Sequence, residues 1–165
     1  MSDPSTPVLM STIDSPIGRL TLLSKRGCLT HLVMEDQAHA TPVPQGSERD
    51  DGAFVDVVAQ LGEYFAGERT RFDVPMALEG TDFQRRVWSE LCSIPYGRTI
   101  SYGELARRID NPRASRAVGS ANGRNPIAVI VPCHRVIAGD GSLGGYGGGL
   151  DRKVVLLELE RAVRS

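Results

Sequence analysis

The chain has 165 residues, 41% of them hydrophobic and 24% charged, with a formal net charge of −1. That length fits one domain or two small ones able to bury a core without covalent staples, and it excludes a large multidomain machine. Cys28, Cys92 and Cys133 are too far apart for a disulfide framework or a Cys-x-x-Cys metal site, MSDPSTPVLM carries no export signal, and no run is apolar enough to span a membrane, so a reducing cytoplasm is expected.

Residues 8–35 read as short strands, because Ser15-Pro16-Ile17-Gly18 and Ser24-Lys25-Arg26-Gly27 punctuate runs rich in Thr, Leu and Val. Residues 36–52, with Pro42, Pro44 and Gly46, read as a surface loop. Phe54, Val57, Val58, Leu61 and Phe65 recur at spacings of three and four, which predicts an amphipathic helix over 53–65 stopped near Gly67. A strand followed by a linker is expected over 70–80.

The character of the chain changes after Gly80. Residues 1–80 carry six Arg/Lys against twelve Asp/Glu, a balance of −6, and residues 81–165 carry thirteen against eight, a balance of +5. The basic half suits a phosphate-bearing partner, although an ordinary charged surface would look similar. Phe83, Val87, Trp88 and Leu91 share one helical face behind Thr81 or Asp82 as cap, and Ile94-Pro95-Tyr96-Gly97 ends that helix. Ser101 and Glu104 form a Ser-x-x-Glu box for a short helix to about Ile109, and Asn111-Pro112 turns the chain into a small-sided helix, Ala114 to Ala121. Two such helices joined tightly suggest a helix-turn-helix, an arrangement that many helical hairpins share without binding DNA.

Ile127 to Val131 is a β-branched run, predicted to be a buried strand, and it delivers Pro132-Cys133-His134. A last helix, from about Asp151 to Glu160, closes the fold through Val154, Val155, Leu157 and Leu159. The expected fold class is α+β. A small α/β domain with a short sheet and a helix spans 1–80, and a mainly helical, winged-helix-like domain with the helix-turn-helix spans 81–165.

Most buried cysteines are inert packing. Cys133 has a histidine beside it, Arg135 next, Asn125 eight residues earlier and seven glycines between Gly139 and Gly149 behind it. A thiol becomes a strong nucleophile when a neighbouring base or positive charge favours its thiolate, and a third group that holds the histidine completes the set. Glu158 and Glu160 are both candidates, and neither composition nor periodicity chooses between them. Cys28 and His31 have a Cys-x-x-His spacing with only His39 near, too few ligands for a metal, and Cys92 reads as packing.

The segment Pro132-Cys133-His134-Arg135-Val136, with Asn125-Pro126, Gly144-Gly145-Tyr146-Gly147-Gly148 and Ile94-Pro95-Tyr96-Gly97, resembles the O6-alkylguanine-DNA alkyltransferase family from about Thr81 to Glu160. The resemblance implies repair of double-stranded DNA bearing O6-alkylguanine, and less efficiently O4-alkylthymine. The base is flipped out and its alkyl group passes irreversibly to Cys133, with no cofactor or metal. His134 matches the base that takes the thiol proton through a water, Glu160 rather than Glu158 the carboxylate that orients it, and Asn125 the support of the active-site turn. Tyr102, Val136, Tyr146, Gly147 and Gly148 match the substrate pocket, with Phe83 near it. Arg116 matches the finger that fills the gap left by the flipped nucleotide, on a helix whose Ala114, Ser115, Ala117 and Gly119 are small enough to approach the minor groove.

The same resemblance implies a monomer in solution, several copies of which can cluster on DNA, and no membrane partner. Arg98 departs from the family where an acidic residue is common, and Gly147 where some members carry serine. A non-catalytic binder of alkylated bases is the alternative. A cysteine hydrolase and a transcriptional regulator are weaker ones.

Overall fold

The computed structural model describes residues 6–164, so the outermost residues of both expected domains lie outside the described residues. Strands β1 (Leu9–Ile13), β2 (Leu20–Lys25) and β3 (Cys28–Met34) form an antiparallel meander. Its turns are the predicted ones, with Gly18 and Gly27 at φ +94° and +79°. The loop read over 36–52 contains a feature that its polar sequence hides: β4 (Glu48–Arg49) pairs parallel with β1, giving the sheet order β3-β2-β1-β4. A 3-10 turn at Asp51–Phe54 leads into helix α1 (Val55–Phe65), and Phe54 of the turn joins Val57, Leu61 and Tyr64 of the helix in one core with the buried residues of the sheet.

The strand expected within 70–80 does not form. Only Leu29 bridges to Met76, through Leu29 N–H donating to Pro75 and Ala77 N–H to Leu29. Pro75 has no N–H to extend the ladder, and the Gln60 amide satisfies the Asp73 backbone on both sides instead.

Helix α2 (Asp82–Leu91) starts at Thr81, whose hydroxyl accepts from Gln84 N–H while the Gln84 amide accepts from Thr81 N–H. Helix α3 (Tyr102–Arg108) is capped by Ser101 alone, because Glu104 is engaged by Arg107 and Arg108 rather than folding back. Helix α4 (Ser115–Gly123) follows the turn, and the buried Trp88 indole donates to Ala121 O at 2.8 Å, fixing α4 on α2. Strands β5 (Ile100–Ser101) and β6 (Val136–Ile137) form a two-stranded parallel pair, so a helix-turn-helix stands on a small wing-like sheet.

Residues 127–131 are buried as expected but are not a strand. Ile127 makes one bridge to Leu32, and Val129 has φ +71° between Ala128 O and Ile130 N, which are hydrogen-bonded at 2.8 Å. That is the rare positive-φ γ-turn, a strained geometry for a β-branched residue. Helix α5 (Leu150–Arg164) closes the fold through a stripe that is only partly the predicted one: Leu156 is fully buried, flanked by buried Lys153 and Glu160, and Leu159 packs half-buried against the core, while Val155 is exposed.

Candidate functional site

A short 3-10 turn, Cys133–Arg135, carries the thiol and the imidazole beside it into the interior. The turn before it is held by Asn125, whose side-chain N–H donates to Val131 O at 2.6 Å while its oxygen accepts from Ile127 N–H at 3.0 Å. Asn122, on α4, reaches the Cys133 carbonyl at 3.4 Å. The turn is therefore tied both to itself and to the helix-turn-helix.

His134 is fully buried, and its Nε2 lies 2.7 Å from Glu160 Oε2. Arg135 grips the same carboxylate with Nε at 2.8 Å from Oε1 and Nη2 at 3.0 Å from Oε2, and its Nη1 donates to Ile94 O. Burial alone would push the Glu160 carboxyl up, but the hydrogen bonds and charges of His134 and Arg135 hold it well below the usual carboxylate range. An anionic Glu160 can only accept, which puts the His134 proton on Nε2. His134 Nδ1 is then a lone-pair acceptor, and it has no hydrogen-bond partner among the described protein atoms. Burial also lowers the imidazole pKa despite the neighbouring carboxylate, so the ring is neutral at rest.

Burial pushes the Cys133 thiol up, against the opposing pull of the Asn125 amide and the Lys153 ammonium. The resting group is a thiol that needs a base. Lys153 is fully enclosed and donates to Val136 O, Leu143 O and Gly145 O, and burial brings its pKa down to about 8. It pins the glycine-rich loop from beneath. The other face of that loop is fastened by Ala38 N–H donating to Gly147 O at 2.8 Å.

The sequence-assigned residues divide into three groups. Cys133, His134, Asn125 and Glu160 come together, and Tyr146, Gly147 and Gly148 close over Cys133 with Met34 and Asn122. The cavity they leave is about 10 Å³. Tyr102 stands at its side, packed between Gly119 and Gly144, where an added Cβ would meet its ring at 3.8 Å and 3.0 Å. At Gly119 that contact would be an ordinary one, whereas at Gly144 it would be tight. Ala114 and Ser115 are half-buried at the start of α4, and Arg116 and Ala117 are exposed on it. Val136 does not line the cavity. It is fully buried, pairs with Ile100 and offers its carbonyl to Lys153. Phe83, half-buried on α2, is likewise absent from the lining.

Three participants went unassigned in the sequence. Tyr64, on α1, donates its hydroxyl to Glu160 Oε2 at 2.6 Å. Arg135 gave only its position beside the histidine as a signal, and Lys153 none beyond its place on the last helix. Arg98 is exposed at the turn after α2.

Comparison with known proteins gives a consistent result. Residues 82–162 match the family described as 6-O-methylguanine DNA methyltransferase, DNA binding domain, and residues 8–78 match the ribonuclease-like domain of the same enzyme. A methylated-DNA–protein-cysteine methyltransferase of Mycolicibacterium paratuberculosis is 58% identical over 150 residues, 91% of this chain and 90% of that protein. One from Methanosarcina mazei is 49% identical over 148 residues, 90% of this chain and 94% of that protein. The crystal structure of Mycobacterium tuberculosis OGT in complex with DNA superposes with a TM-score of 0.89 at 56% identity, covering 94% of each chain.

Proposed function

The chain belongs to the 6-O-methylguanine DNA methyltransferase family, and from that premise we propose that Cys133 is its alkyl acceptor, His134 its base and Glu160 the carboxylate that orients the base. The activity is direct repair of alkylated DNA, in which a protein cysteine takes the alkyl group. One observation carries the residue assignment: a buried thiol is followed by a neutral histidine whose Nε2 is locked on an anionic Glu160, leaving Nδ1 as the acceptor.

The thiol proton leaves Cys133 for His134 Nδ1 through a bridging water, and the imidazolium is stabilised by Glu160. The sulfur attacks the alkyl carbon, the bond from that carbon to O6 breaks, and its electron pair goes to the guanine. The leaving base takes up one proton, helped by the Tyr102 hydroxyl, so the products are unmodified guanine and a thioether. A thioether has no ready leaving route, which makes the protein a single-turnover acceptor.

Guanine O6 is unreachable by a side chain while the base is stacked, so the nucleotide is extruded, at a cost of a few kcal/mol. Arg116, exposed on α4 among Ala114, Ser115 and Ala117, fills the gap it leaves. A cavity of about 10 Å³ has room for about one water, so the Tyr146-Gly147-Gly148 segment swings off Met34 to admit the base. O4-alkylthymine is a slower substrate, and the protein acts as a monomer that clusters on DNA in the cytoplasm. Residues 1–80 form the supporting domain and 81–165 the DNA-binding, alkyl-accepting one. No helix among the described residues is long and apolar enough to cross a membrane.

The test is intact-protein mass spectrometry with peptide mapping after incubation with a duplex containing one O6-methylguanine. One added methyl, about 14 Da, on Cys133 is expected, with Cys133→Ser binding the duplex but gaining nothing. Binding by the unaltered protein without a mass gain would leave a lesion binder, and a methyl on another residue would remove Cys133 from its role.

A further inference from the structure

Tyr64 lies in the last turn of α1, 96 residues before Glu160, and is 0% exposed. Its ring packs edge-on to Phe65 at 5.3 Å and beside Phe72 at 5.4 Å, with Tyr96 at 6.2 Å. Phenylalanine would serve that cluster as well. A buried hydroxyl needs a partner, and this one has the carboxylate oxygen that also faces His134 Nε2. Burial and the Glu160 charge push the phenol well up, so the hydroxyl is only ever a neutral donor here.

We propose that the Tyr64 hydroxyl is a positioning group for alkyl transfer, fixing Glu160 Oε2 against His134 so that the N-terminal half of the chain completes the proton relay. The inference rests on the roles given to Cys133, His134 and Glu160 above. Arg135 holds both oxygens of the carboxylate in its fork, and the Tyr64 hydroxyl adds a further donor on the one oxygen that meets the imidazole, drawing charge from the oxygen on which His134 depends. The remaining groups that bear on this carboxylate include Arg135, Tyr96, Tyr146 and the Gly97 N–H at 3.5 Å, and those that bear on His134 include Arg135 and Lys153. None of them replaces a neutral donor on Oε2.

The experiment compares Tyr64→Phe with Phe72→Leu, which loosens the same ring cluster but keeps the hydroxyl. Single-turnover transfer to Cys133 is followed against pH, alongside Tm and duplex affinity. In Tyr64→Phe the more basic carboxylate strengthens its hold on the imidazolium, so the acid limb of the rate profile moves to higher pH, on the order of half a unit or more. The rate loss is then larger near about pH 6 than near about pH 8, with duplex affinity unchanged. Phe72→Leu lowers Tm and leaves the acid limb in place.

An unshifted profile in Tyr64→Phe, an equal shift in both variants, or a Tyr64→Phe protein that does not fold overturns the proposal, since the hydroxyl would then be idle or serving the fold. Failure of the unaltered protein to alkylate Cys133 is a separate result, read before either variant, and removes the underlying assignment instead.

Discussion

His134 and Glu160 stand on one side of Cys133 and the glycine-rich loop up to Gly149 on the other, and the two sides are held in opposite ways. On the relay side one buried carboxylate receives His134, Arg135 and Tyr64, groups from both halves of the chain. On the loop side, short polar residues and glycines are fastened by Lys153 from below and by one backbone bond from Ala38. A proton relay loses rate steeply with small displacements, so its geometry is over-determined. A cover that must admit a base cannot be. On the function proposed above, the difference separates what reacts from what opens.

Replacing Glu160 strikes the over-determined side and carries the largest expected effect. Glu160→Gln leaves the Arg135 guanidinium buried without a counter-charge, a loss of about 3–5 kcal/mol. Single-turnover transfer falls by about 10²-fold or more in whatever fraction remains folded. Glu158, two residues earlier and exposed, is the control, and its Gln variant stays within about 0.5 kcal/mol of the parent by urea unfolding. A Glu158→Gln variant that lost transfer while Glu160→Gln kept it would reverse the choice between them.

Lys153→Met strikes the other side. It keeps a long apolar stem but removes the donor for Val136 O, Leu143 O and Gly145 O, at a cost of about 1–3 kcal/mol. Hydrogen exchange should quicken across 138–149 and leave α2 protected. Faster exchange spread through the whole chain would mean that the loop is not an independent element.

The two sides also differ in their pH windows. His134 and Glu160 are held below their ordinary values, so the unfolded chain binds those protons first and stability is lost as pH falls below about 6.5 and then about 4.3. Lys153, lowered to about 8, also binds fewer protons folded than unfolded, but between about 8 and its ordinary value, ~10.4. Its contribution to stability is least below about 8 and rises with pH above it. Urea midpoints against pH should therefore show an acid slope that Glu160→Gln reduces, while on the alkaline side the rise from Lys153 is opposed by Cys133, whose buried thiol keeps a proton that the unfolded chain releases, so Lys153→Met makes the alkaline limb fall more steeply. The reverse assignment of slopes would refute the division.

How far the sequence discloses these two sides follows from the kind of signal each leaves. Helices α1 to α4 show in apolar spacing and in Thr81 and Ser101 as caps. Cys133, His134 and Asn125 lie within one short motif, and Glu160 is picked out from Glu158 only by the family resemblance. Tyr64 is invisible because its helix reads as an ordinary amphipathic one, and its partner is 96 residues away. Lys153 is hidden for another reason: lysines on a last helix are expected in water. The run 127–131 misleads because β-branched residues favour strands, yet Asn125 takes the backbone groups a strand would need and turns the chain at Val129. Local pattern reports which segments are buried. Which polar groups they face inside is set by tertiary pairing.

The gentlest probe is Gly147→Ser, a hydroxyl restored to the looser side. A Cβ there would meet Ala38 O at 3.5 Å, Gln37 Cγ at 3.6 Å and Gly123 O at 3.6 Å, ordinary contacts at a position without positive φ. The variant should lie within about 0.5 kcal/mol of the parent. Gly148 is the contrast, because its Cβ would fall 2.5 Å from the Met34 Cε and force that side chain aside. If the loop is only a cover, the serine changes the ratio of transfer rates for methyl and benzyl adducts by a few-fold and leaves the acid limb of the profile where it was. A moved acid limb would mean that the loop side reaches into the relay, and the two sides of Cys133 would then be one.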